Sequence, residues 1–251
     1  VESINKAKKI LFEARKQRPR PHLDDKIITS WNGLMISGLC KASQVLGEPK
    51  YAEQAERVVS FIRAKLYDTE KKVLHRSYRS GTNAPPIEGF LNDYSFLISG
   101  LLDLYETTGR LEHLIWAQEL QGKQDELFLD ADGGGYFEVT GQDPSILLRM
   151  KEDYDGAEPS GNSVSAMNLL RLSHFCDMDM ANKYLNQADH LFHHTKDMLT
   201  EAQEAVPQLL CALDERMNPG KHIAIVYDDK CQNLSEITST IHKRHPRVSY
   251  P

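Results

Sequence analysis

The chain has 251 residues, 40% of them hydrophobic and 26% charged, the composition of a globular protein with a sizeable core. A formal net charge of −6 leaves no broad basic face, which excludes nucleic acid as an expected partner. No apolar run reaches the roughly 18 residues of a membrane helix, so no membrane partner is expected either.

The chain opens on Val1 rather than an initiator methionine and reads as a fragment whose start lies upstream, which leaves secretion open. Cys40, Cys176, Cys211 and Cys231 are far apart and form no CxxC pair. That argues against a disulfide framework or a zinc cluster and fits a reducing compartment. Cys40 and Cys176 fall in apolar helical stretches, as small buried hydrophobes do.

Residues 3–17 (SINKAKKILFEARKQ) read as an outer helix without an inner partner. WNGLMISGLCKASQVLG, residues 31–47, is apolar over most of its circumference and predicts a buried inner helix. Residues 51–66 carry Tyr51, Ala55, Val58, Val59, Ile62 and Leu66 on one stripe, a helix with one face to water. The plan then repeats: ISGL at 36–39 returns at 98–101, an offset of 62 that also carries Gly47 onto Gly109 and Ala55 onto Ala117. NLLRL, ending at Leu172, overlays GLLDL, ending at Leu104, at an offset of 68. Between the hairpins, residues 73–79, GYFEVT and SILLRMK, within 135–151, predict small β-hairpins on one rim. EAVPQLLCALDE, 204–215, is a short further inner helix; KHIAIVYDD predicts a strand and LSEITSTIHKRH a helix.

Alternation of buried and half-exposed helices predicts a mainly α fold, two concentric layers of helical hairpins forming a partial (α/α) toroid. Residues 1–215 form this incomplete ring, with about three and a half hairpins visible, and residues 216–251 an α/β excursion. An incomplete ring should expose an apolar flank unless other residues cover it.

Parallel inner helices open on one face, so the segments before them share a rim. HLDDKIITSWN, IEGFLNDYS and DYDGAEPSGN supply Asp24, Asp25 and Asn32, then Glu88, Asn92 and Asp93, then Asp155, Glu158 and Asn162. Carboxylates converging in a partly enclosed cleft can have their pKa values driven apart into an acid and a base, the arrangement of glycoside hydrolysis. Asp25, Asp93 and Glu158 are the catalytic candidates, Asp93 foremost; His22, Trp31, Asn32, Tyr94, Tyr154 and Asn162 are the substrate-binding candidates. Asp, Asn and Ser at these positions are equally the preferred helix N-caps, and the two roles are compatible.

No metal or cofactor is expected. Asp130, Asp132 and Gly135 resemble the start of a calcium loop, but its twelfth position is Gly141, where a bidentate Glu is needed. His190, His193 and His194 share about one helical turn without a further ligand. Gly133–Gly135 precedes a strand rather than a helix, which removes a phosphate-cradling role.

RPRPHLDDKIITSWNGLMISGL, FLNDYSFLISGLLDLYETTG and DGAEPSGNSVSAMNLLRL, in this order, resemble the spermatogenesis-associated protein 20 family, from about residue 18 to about 215. The resemblance implies a larger protein with an N-terminal thioredoxin-like domain and a C-terminal toroid similar to six-hairpin glycosidases and N-acylglucosamine 2-epimerases. It also implies a role in spermatogenesis or fertility. The epimerase relatives use mouth histidines for proton transfer, whereas here only His22 lies near the rim, which argues against that chemistry. Two functions follow: a glycosidase-like toroid that binds or processes a carbohydrate, or a non-catalytic helical scaffold attached to an upstream thioredoxin-like domain.

Overall fold

Two predicted inner helices end on the same device. In the computed structural model, helix α2 (Thr29–Leu46) stops at Gly47 and helix α4 (Leu91–Thr108) at Gly109, with φ of 69° and 71°. Their N–H groups reach back to the Ser43 and Tyr105 carbonyls, the left-handed cap that glycine makes at no steric cost. Each is followed by a returning outer helix, α3 (Pro49–Lys65, with Pro49 in the first turn) and α5 (Leu111–Phe128). The third hairpin uses different chemistry. Helix α6 (Gly161–Ser173) starts on Ser160, whose side chain accepts from the Ser163 N–H, and α7 (Met178–His194) starts on Asp177, which accepts from Met180. The structure describes residues 1–81, 85–220, 223, 225 and 234–244.

The inner helices are parallel. Ser30 meets Asp93 at the start of α2 and α4, and Gln44 meets Thr107 near their ends. Arg171 of α6 lies against Asp103 of α4, and Asn168 donates to the Ser95 carbonyl. Helix α9 (Pro207–Met217) packs beside α6 as the fourth inner helix. Outer helices pack against their own inner partners and join laterally through Glu56–His113 (α3 to α5) and Asp125–Gln187 (α5 to α7). This is a mainly α partial (α/α) toroid.

Helix α4 has inner neighbours on both sides and is the core of the ring: Leu91, Phe96, Leu97, Ile98, Leu101, Leu102 and Leu104 are all buried. Each such side chain contributes about 1.5–3 kcal/mol of burial. Helix α2 is as apolar in sequence, yet Trp31, Met35, Val45 and Leu46 are exposed, because one flank of α2 has no neighbouring hairpin among the described residues. Helix α1 (Glu2–Lys16) forms as predicted and buries none of its residues.

Small β-structure forms, with partners other than those expected. Residues 73–79 do not make a hairpin of their own; Val73–Leu74 pairs antiparallel with Tyr67–Asp68, while Ser77–Tyr78 pairs with Ile27–Ile28, at the foot of α2. Residues 135–151 contain no strand; Leu129 and Tyr136 form an isolated bridge, and the Phe137 and Glu138 N–H groups donate to the Phe128 and Met150 carbonyls. Their extended backbone is tied instead to neighbouring elements: the Leu91 N–H donates to the Glu138 carbonyl, and Asn162 brackets Tyr136. At the C-terminus, helix α10 (Leu234–Arg244) is formed, and most of the predicted KHIAIVYDD strand lies outside the described residues.

The α2–α4 contact depends on missing side chains. A Cβ on Gly33 would sit 2.5 Å from the Phe96 carbonyl carbon, and one on Gly100 2.8 Å from the Gly33 oxygen, so backbone meets backbone. Gly33→Ala should cost about 1–3 kcal/mol in chemical denaturation. Gly38→Ala, on the same helix but facing open space, should be neutral or gain up to about 1 kcal/mol. A neutral Gly33→Ala would contradict this close approach.

Candidate functional site: the inner-helix rim and the hollow beneath it

The rim is organised by two carboxylates. Asp93, at the third position of α4, is fully buried. One oxygen accepts from the Phe90 N–H of its own helix at 2.9 Å, and the other from the Ser30 N–H in the first turn of α2, also at 2.9 Å. Arg76 approaches at 3.6 Å and lies over the Phe90 ring at 4.6 Å. Asp155 repeats the arrangement further round. It accepts from Ser160, the cap of α6, at 2.8 Å, and from Gln208 and Leu209 in the first turn of α9 at 2.8 and 3.3 Å. One carboxylate therefore satisfies free N–H groups of two adjacent helices and sits at the positive end of both dipoles.

The other nominated residues divide by accessibility. Tyr94 is not a rim aromatic: its ring is buried against Phe128 and its hydroxyl accepts from the Leu74 N–H at 2.9 Å. Asn162 is also buried, accepting from Tyr136 N–H and donating to the Tyr136 and Glu152 carbonyls. Asn32 is half-buried and donates to the Ile28 carbonyl. Trp31 and Tyr154 are exposed, at 60% and 57%. Trp31 donates its indole N–H to an oxygen of Glu158 at 3.2 Å, bringing together residues 127 apart in sequence. Asp25 pairs with Arg79 at 2.6 Å, and Arg79 donates to His22 at 3.0 Å, beside the β1–β4 pair formed by Ile27–Ile28 and Ser77–Tyr78. The structure thus puts Glu158 and Trp31 in contact, gives Asp93 a capping position and buries Tyr94 and Asn162.

Below the rim lies a hollow of about 560 Å³ lined by α2, α4, α6 and α9. Its charged lining is Lys41, Asp103, Glu106, Arg171, Asp214 and Glu215. Arg171 donates from Nη2 to Asp103 at 2.9 Å and to Glu106 at 2.8 Å, and Lys41 stands 3.4 Å from Asp103. Burial pushes the Glu106 carboxyl above its usual range despite Arg171. For Asp103 burial acts the same way, but Arg171 and Lys41 outweigh it and hold the group low. This cluster was not predicted, although the repeat contains it: the 62 and 68 offsets superimpose Lys41, Asp103 and Arg171 on one another. In the loop ahead of α6, burial and the neighbouring Glu138 and Glu158 charges raise Glu152.

The ion-binding signals resolve differently. Asp130 accepts from the Asp132 and Gly133 N–H groups, and Lys151 fills the cation position, 2.7 Å from Asp130 and 2.6 Å from the Gly134 carbonyl. Among the described residues the His190, His193 and His194 group gathers no ligand set; Glu56, Glu112 and His113 do, with Arg110 already 3.3 Å from Glu56. The Cys40 thiol is buried and pushed up to about 12, which makes it unreactive.

No family model matches the chain. Over 246 residues, 95% of its length, it is 37% identical to spermatogenesis-associated protein 20 of Homo sapiens. The resemblance to the spermatogenesis-associated protein 20 family is borne out. The chain spans 31% of that relative's length. Among solved structures, the GH76 alpha-mannanase BT2949 of Bacteroides thetaiotaomicron superposes with a TM-score of 0.59 at 16% identity, covering 89% of this chain and 59% of that one. Cellobiose 2-epimerase of Bacillus thermoamylovorans gives 0.52 at 13%, covering 78% and 63%. At these identities the likeness establishes the fold, the α/α toroid of glycosidases and epimerases. No helix among the described residues is long and apolar enough to cross a membrane.

Burial drives the Asp93 carboxyl up to about 6, against the lowering effect of the Phe90 N–H, Arg76 and Ser30. Because this folded value exceeds the unfolded one, its stabilising contribution is complete below about pH 4 and is lost as pH rises through about 6. The melting temperature should therefore fall relative to that of Asp93→Asn between about pH 4 and pH 6 in scanning calorimetry. Parallel curves would mean that Asp93 stays ionised in the folded protein.

Proposed function

We propose that the rim and hollow form a carbohydrate-binding cleft, within a protein whose family associates it with spermatogenesis and fertility. The contact between Trp31 and Glu158 carries this reading. An exposed indole offers an apolar face on which a sugar ring can stack, and the carboxylate beside it offers acceptors for hydroxyl groups. Tyr154 adds a second exposed aromatic on the same loop as Glu158. The toroids of similar fold include enzymes that act on mannan and cellobiose, which supports the ligand class by analogy of fold.

Within this reading Glu158 and Asp25 are the rim carboxylates open to a ligand, with Glu158 the acid or base of any glycosidase-like chemistry. Asp93 acts by holding α2 and α4 in register. The scaffold alternative draws on a separate observation, the exposed α2 flank of Trp31, Met35, Val45 and Leu46, a surface suited to further polypeptide, including the thioredoxin-like domain implied upstream.

A thermal-shift screen of mono- and oligosaccharides on the full-length protein separates the two. A stabilising sugar is expected, and Trp31→Ala or Glu158→Gln should abolish its effect while moving the unliganded melting temperature by no more than about 2 °C. Absence of any stabilising sugar, or unaltered binding by both variants, would reject the cleft.

A further inference from the structure

The hollow contains cations, but their charge is already balanced. Arg171 is nine-tenths buried and contacts two carboxylates, and Lys41 shares Asp103 with it. Asp214 and Glu215 of α9 add two acids with no opposing cation among the described residues; they accept from Asn218 and from the Gly220 N–H. Acids thus outnumber bases along the lining, and would do so even with Glu106 protonated. The segment before Pro159, which lines the hollow, has the same sign, with Glu152, Asp153, Asp155 and Glu158 close enough to influence one another. Hydrogen-bonding capacity, however, is not exhausted. Both Arg171 bonds leave from Nη2, so Nε and Nη1 make none among the described residues. Ser37, Ser99 and Gln208 also line the space.

Donors remain, then, in a field of net negative sign. A hydroxyl oxygen can use those donors without an electrostatic penalty, and hydroxyl hydrogens find carboxylate acceptors on either side. A carboxylate arriving with a ligand would enter beside like charges, poorly screened by solvent.

Resting on the carbohydrate reading above, we propose that the hollow takes an uncharged sugar unit and discriminates against uronic acids. Lys41, Asp103, Glu106 and Arg171 form a polar floor for ring hydroxyls, and Asp214 and Glu215 set the sign of the field. An amino sugar would be tolerated on the same grounds.

Calorimetric titration of the full-length protein with mannobiose, cellobiose and digalacturonate, at low ionic strength, tests this. A neutral disaccharide should bind at least about tenfold more tightly than digalacturonate. The double variant Asp214→Asn/Glu215→Gln, at exposed and half-buried positions that bear little on packing, should narrow that gap, and so should added salt. Digalacturonate binding as tightly as the neutral sugars, or a gap untouched by the double variant, would overturn the charge assignment and leave the carbohydrate reading standing. No binding by any of the three sugars would overturn this assignment of the hollow, while the carbohydrate reading itself falls only if the wider thermal-shift screen also finds no stabilising sugar.

Discussion

One carboxylate shared between two helix starts is the interaction on which this architecture depends. Parallel packing of α2, α4, α6 and α9 gathers free N–H groups and positive dipole ends at one rim, where they repel one another and need acceptors. Asp93 answers for α2 and α4, Asp155 for α6 and α9. Each therefore fixes the height of one helix against its neighbour as well as completing a cap. The close backbone contact at Gly33 and Gly100 needs that register, since a small slide along the axes would bring side chains into the gap.

Register also explains the hollow. With the inner helices held level, repeat-equivalent positions project to equal depth. Lys41, Asp103 and Arg171 occupy such positions and meet as alternating charges. A buried ion cluster of this kind is seldom a gain in stability over apolar packing, because desolvation offsets the attraction. Here the cluster lies on the wall of an open space rather than in a sealed core, and the sugar-binding proposal builds on that position.

Much of the fold was legible because its signals are local and repeated. The 62-residue offset, the glycines at 47 and 109, and the contrast between all-round apolar α4 and one-sided α3 identify helical hairpins without tertiary information. The strand pairing of residues 73–79 was not legible, since its partners are 67–68 and 27–28 rather than the next residues in the chain. The site was half legible. Sequence places Asp25, Asp93, Asp155 and Glu158 at one rim, but exposure decides between cap and ligand, and exposure depends on packing. Asp93 lies two residues after the buried Leu91 and faces the start of α2; Glu158 lies in a loop facing solvent. Nothing in their immediate neighbours separates the two.

Hydrogen exchange in Asp155→Ala measures the central claim directly. If one carboxylate holds two helix starts, the amides of Ser160 and of Gln208 and Leu209 should lose protection together, although they lie in different helices. Loss confined to Ser160, with Gln208 and Leu209 as protected as before, would contradict it.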